Sequence, residues 1–125
     1  MIEIKPVNDA EQIKSAFDKN NLVFTNKSIY VCARDKDKIF GECCMRVDND
    51  EVYIMYISPQ NDMMMFDGML RSALHVGVER GARVAFYENT ECEENYEILG
   101  FIADKHKRTL NIDKLFESCK CCVQN

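Results

Sequence analysis

Three thiols within four residues, Cys119, Cys121 and Cys122, flank Lys120 and form the densest set of reactive side chains in the chain. Such a run suits a soft metal or a redox exchange, but a structural zinc takes four ligands, usually as two separated pairs. No second pair with that spacing occurs, and the two histidines, His75 and His106, stand alone. No metal centre is expected. The cysteine count is odd, seven, and the start Met1-Ile2-Glu3-Ile4-Lys5 lacks the basic leader and apolar run of a secretion signal. Together these argue for reduced thiols in a cytoplasmic protein. Twenty-one acidic residues against sixteen basic ones give a net charge of −5, which opposes a nucleic-acid partner, since that surface needs a basic stripe.

The elements that must hold any site follow from length and periodicity. The 125 residues, 46% apolar and 30% charged, predict one domain over 1–125, with 117–125 a peripheral tail. No apolar run approaches the roughly 18 residues of a membrane span. Ile2, Ile4 and Val7 alternate as a first strand, which Pro6 places at an edge. Asn8 with Glu11 reads as a capping box before a helix carrying Ile13, Ala16 and Phe17. Residues 28–33 and 39–47 form strands around the turn Asp35-Lys36-Asp37-Lys38, and Asp48-Asn49-Asp50 turns into a third strand, 51–58. That strand is apolar almost throughout (Val52 to Ile57), so both of its faces should be covered. A helix over 62–80 places Phe66, Met69, Leu70, Ala73 and Gly77 on one face and His75 on the polar side. Residues 83–88 then make a strand, 91–99 a short helix, and 101–109 one charged final strand. In that last strand Lys105, His106, Lys107 and Arg108 guard an edge. Ile112, Leu115 and Phe116 add a helical turn or two. The order β-α-β-β-β-α-β-α-β is a mixed α/β sheet with one parallel pair.

Within this frame, Asn95-Tyr96-Glu97-Ile98-Leu99-Gly100-Phe101 resembles the Tyr-Glu-Lys-Leu-Gly-Phe signature of the GNAT N-acetyltransferases. Ile57-Ser58-Pro59 resembles the Val-x-Pro that ends the family's central strand. Glu79-Arg80-Gly81-Ala82 is similar to its helix-to-strand exit, and Gly41 to its third strand. The matches run in order over about residues 1 to 110. The resemblance implies the GNAT-like acyl-CoA N-acyltransferase fold and direct acetyl transfer from acetyl-CoA to an amine of an unidentified small-molecule or peptide acceptor. It implies two strands that part after Ile57, with Tyr56, Ile57 and Ser58 as the edge that grips pantetheine. Tyr96 would be the acid toward the departing thiolate, a phenol of pKa near 10 matching a thiolate of similar basicity. Asn89 would contact CoA. Glu51, at the start of the central strand, would be the base; read alone, it is a charge ending a turn.

Two departures stand out. The family's phosphate loop is glycine-rich, so that bare amides hold pyrophosphate. Here the same region runs Gln60-Asn61-Asp62-Met63-Met64-Met65-Phe66-Asp67-Gly68, so residues 63–68 would have to serve with one glycine and an added aspartate. Asp62 is itself suited to cap the helix and take amides that phosphate would need. Secondly, about eight loop residues, 20–27, stand where the family has a further helix, which should leave the acceptor groove open. The alternative is therefore a catalytically degenerate GNAT-like binding module. The oligomeric state is open, and a homodimer is compatible with the chain.

Overall fold

The computed structural model describes residues 1–116, so Cys119, Cys121 and Cys122 lie outside the described part. Its elements are β1 (Glu3–Pro6), α1 (Ala10–Lys19), β2 (Ser28–Asp35), β3 (Lys38–Asp48), β4 (Glu51–Ser58), α2 (Met63–Glu79), β5 (Val84–Tyr87), α3 (Glu93–Ile98), β6 (Ile102–Asp104) and β7 (Thr109–Leu110). A 3₁₀ turn, Thr90–Cys92, leads into α3. One seven-stranded sheet has the order β1-β2-β3-β4-β5-β7-β6. Its single parallel pair is β4 with β5, bridged by α2, as a crossover connection requires.

Several local expectations change. Helix α1 is capped by Asp9 rather than Asn8: the Asp9 carboxylate accepts from the amides of Glu11 (2.9 Å) and Gln12 (3.5 Å). Shifting the cap by one residue moves Glu11 out of the capping-box position. The expected strand 101–109 is a hairpin, because the Asp104 carboxylate accepts from the amides of His106 and Lys107 and folds the chain back at once. Arg108 completes that turn with φ of 58°. The basic cluster is thus a hairpin tip, and β7 slips between β5 and β6.

The apolar run of β4 also has a different cause from the one expected. Val52, Ile54 and Ile57 are fully buried in the main core with α2, whereas Met55 and Tyr56 border a smaller cluster with Phe17, Tyr30, Cys32 and Cys44. Strict alternation would put Ile54 and Ile57 on opposite faces. A bulge resolves this: Cys44 pairs with Tyr56 and Met45 with Ile54, leaving Met55 extra. Among the described residues the second face is only half covered, because α1 packs over β2.

Helix α2 lies very close to the sheet, and two glycines permit it. A Cβ on Gly77 would stand 3.0 Å from Val52 Cγ2, and one on Gly41 would meet Met69 at 3.0 Å and the Ser58 carbonyl at 3.1 Å. Gly77→Val is expected to lower stability by about 2 kcal/mol through overpacking, measured by urea unfolding. The cost should shrink in a Val52→Ala background; an equal cost there would mean that Val52 is not what the new side chain meets.

Candidate functional site

The β4–β5 ladder runs from Glu51 opposite Val84 to Ile54 opposite Tyr87. Its last rung is the Glu88 amide donating to the Ile54 carbonyl at 2.8 Å. Strand β4 continues to Ser58 with partners on β3 alone. The strands therefore part after Ile54, three residues earlier than the expected Ile57, because the bulge at Met55 bends β4 where the pairing ends. Met55, Tyr56, Ile57 and Ser58 form a strand edge beside β5 with no ladder neighbour there. A groove of about 430 Å³ opens at this split, lined by Tyr56, Glu88 and Asn89 together with Lys19 and Asn20.

Two polar groups at the split lack a strong partner. Asn89 is 9% exposed; its Oδ1 accepts from the Glu91 amide at 3.2 Å, while its buried Nδ2 makes no hydrogen bond. Tyr96 on α3 is fully buried, its ring tilted against Tyr87 (centroids 4.8 Å) and edge-on to Phe66 (5.5 Å), and its hydroxyl has only the Cys92 thiol, a weak partner, beside it. Burial pushes the Tyr96 phenol well above its ordinary range, so it stays protonated at neutral pH. Orphaned polar atoms in a core are rare and costly.

No protein-family model and no curated protein sequence matches the chain. Solved structures do. The ribosomal-protein-S18-alanine N-acetyltransferase of Escherichia coli superposes with a TM-score of 0.58 at 14% identity, over 87% of this chain and 88% of that one. A protein from Desulfovibrio desulfuricans assigned to the GNAT acetyltransferase family gives 0.57 at 15% identity, over 83% and 87%. One from Clostridium acetobutylicum, assigned as an acetyltransferase and crystallised with acetyl-CoA, gives 0.58 at 13% identity, over 83% and 92%. The chain has the GNAT acyltransferase fold.

At the position of the GNAT phosphate loop, the Asp62 side chain accepts from the Met65 amide at 3.1 Å and its carbonyl from the Phe66 amide at 2.8 Å. Asp62 caps α2 as expected and takes one amide from any anion there. Met63 and Met65 are half-buried, Met64 is 88% exposed and Phe66 is core. Asp67 is neutralised by Arg71 one turn on, at 2.9 Å. Gly68 does not face the loop: a Cβ there would meet Ile4 of β1 at 3.6 Å. Asn95, not singled out from the sequence, donates from Nδ2 to the Gln60 carbonyl at 2.9 Å and ties α3 to the loop. Its place beside Tyr96 in the signature was the available signal.

The structure separates Glu51 from this group. Glu51 begins β4, about 10 Å along the strand before Ile54 at some 3.3 Å per residue. Its carboxylate accepts from the Tyr53 hydroxyl at 2.7 Å. On the α1 side of the sheet, Glu42 accepts from Lys19 at 3.1 Å and from the Tyr30 hydroxyl at 2.7 Å, anchoring the end of α1. The four cysteines at positions 32, 43, 44 and 92 are free and buried; burial raises the Cys43 thiol and pushes Cys44 up to about 12. Among the described residues no cluster could hold a metal, and no helix is long and apolar enough to cross a membrane.

Tyr30, Tyr87 and Tyr96 all have raised pKa values, burial being the largest cause in each. Each loses protons more readily when unfolded, so its stabilising contribution is complete below about pH 10 and declines above it. Thermal unfolding between pH 7 and 11 should show a decline beginning near 9, where the buried thiols of Cys43, Cys44 and Cys92 start to ionise in the unfolded chain, and steepening near 10 with the tyrosines. In Tyr96→Phe the alkaline slope should be shallower, by up to about 1.4 kcal/mol per pH unit; an unchanged slope would contradict the sealed hydroxyl.

Proposed function

We propose that the protein is an N-acetyltransferase that takes the acetyl group of acetyl-CoA at the β4–β5 split and passes it to an amine. The supporting observation is Asn89 Nδ2, buried with no partner, and the Tyr96 hydroxyl, buried with only the Cys92 thiol, beside a strand edge that lacks a neighbour. Leaving a buried donor unmade costs about 1–3 kcal/mol, and a pantetheine arm with its thioester supplies the acceptors that would remove that cost.

In this reading acetyl-CoA contributes the activated acyl group, and the chain's residues do the rest. Met55 to Ser58 orient the arm through main-chain groups. Asn89 donates from Nδ2 into the split. Burial makes Tyr96 a weaker acid than a free phenol, so it hydrogen-bonds the developing thiolate first and gives up its proton only as full negative charge collects on the sulfur. The amine enters from the α1 side, where the groove is open to water that carries away its proton; Glu51, the base that the resemblance implied, stands too far along β4 to receive it directly. Titration calorimetry with acetyl-CoA, combined with chromatographic detection of released CoA over a panel of amines, tests this reading. Tyr96→Phe should weaken acetyl-CoA binding by about the worth of one buried hydrogen bond, roughly tenfold, while cutting turnover a further 100-fold or so, the scale of a lost general acid. Absence of acetyl-CoA binding at millimolar ligand would reject the reading.

The Asp62 cap favours a second reading, a GNAT-fold module that binds without turnover. Its negative charge and its occupied amide both oppose pyrophosphate at the start of α2. Asp62→Ser keeps a capping oxygen and removes the charge. It should tighten acetyl-CoA binding about fivefold, which is near 1 kcal/mol for a charge at a helix N-terminus. No change in affinity would place the phosphates elsewhere.

A further inference from the structure

The sheet face on the α1 side carries an organised surface that acetyl transfer as such does not require. Strands β3, β4 and β5 point Arg46, Tyr53, Phe86 and Glu88 to this face, opposite the α2 core. Tyr53 and Phe86 are stacked, with centroids 5.1 Å apart and planes 14° from parallel. The Arg46 guanidinium lies 4.2 Å from the Tyr53 ring centroid and bonds both Glu88 oxygens at 2.9 Å. Glu51 holds the Tyr53 hydroxyl. Among the described residues no helix covers these side chains, which are all half-buried or exposed, and Glu88 also lines the groove at the split. The surface is therefore continuous with the place where an acetyl group would be delivered.

Its charge decides what suits it. Glu88 and Glu91 line the groove with Lys19, Glu42 is bonded to that lysine, and Glu51 and Arg46 flank the stack, four carboxylates against two cations. Lys19 is committed to Glu42, and Arg46 to Glu88. The Tyr53 ring is already held between Arg46 and Phe86, so the surrounding carboxylates attract an incoming cation by charge while the rings offer apolar contact to its stem. Glu88 is 42% exposed at its side chain, so an incoming ammonium or guanidinium can share or replace Arg46 at this carboxylate.

We infer that the acceptor is a basic polypeptide segment lying extended over Tyr53 and Phe86, with a Lys or Arg side chain taken by Glu88 while its amine enters the split. This rests on the acetyltransferase reading for the chemistry, but peptide recognition is separately measurable. The probes are Gly-Lys-Gly-Lys-Gly and Gly-Glu-Gly-Glu-Gly, each with a free N-terminus and a C-terminal fluorophore. Fluorescence polarisation is recorded at low salt with and without CoA, so that failure of CoA to bind is seen apart from failure of the peptide to bind.

The lysine peptide should bind and the glutamate peptide should not. Glu88→Gln should weaken lysine-peptide binding about fivefold, the range of a partly exposed ion pair. Arg46→Gln should strengthen it by removing the competitor. Glu79→Gln, an exposed carboxylate at the end of α2 on the opposite face of the sheet, should leave it unchanged and so exclude a general effect of net charge. The inference is overturned if neither peptide binds, if the glutamate peptide binds better, or if Arg46→Gln abolishes lysine-peptide binding. Better binding of the glutamate peptide would assign Arg46 to an anionic acceptor instead.

Discussion

The hydrogen bond from the Glu88 amide to the Ile54 carbonyl closes the only parallel ladder among the described strands, and the candidate site depends on where that ladder stops. Had β4 kept a regular pleat, Met55 to Ser58 could have continued beside β5 and consumed the main-chain groups that now face the groove. The extra residue at Met55 prevents this. It bends β4 and lets Ile54 and Ile57 both reach the α2 core, so the core is preserved across the irregularity. Core packing and an open strand edge are therefore satisfied by the same residue.

The two faces of the sheet have different tasks. On the α2 side, Gly77 and Gly41 let the helix settle close to β4 and β3, and Tyr87, Phe66 and Tyr96 complete a dry interior. There the phenol of Tyr96 is held neutral because no water or counter-charge stabilises its anion. On the α1 side, a single ten-residue helix covers β2, and the neighbouring surface stays wet, aromatic and acidic. A reaction at the split would thus meet a proton donor from the dry side and an amine from the wet side.

The start of α2 shows a conflict between folding and ligand demands. A helix N-terminus leaves amides unsatisfied, and either an anion or a capping side chain can use them. Asp62 takes the capping option, and Asp67 is compensated by Arg71 within the helix rather than by anything in the loop. Asn95 fixes the loop from the other side. The helix is well founded without a ligand, which is why phosphate affinity and fold stability make opposing demands on Asp62.

Local chemistry carried much of this into the sequence. The bounds of β4 at Glu51 and Ser58, the apolar face of α2, the cap at Asp62 and the glycine exit at Gly81 each rest on residues a few positions apart, and the structure agrees on them. The hairpin at Asp104 was also a local signal, hidden by the basic run that follows it. What the sequence could not determine depended on pairing between distant strands. The bulge at Met55 exists only because β3 presents Cys44 and Met45 in one register, and the split after Ile54 follows from that bulge. Likewise, the Arg46–Glu88 clamp and the isolation of Glu51 from Tyr96 arise from which strands lie side by side, a relation that no spacing along the chain encodes.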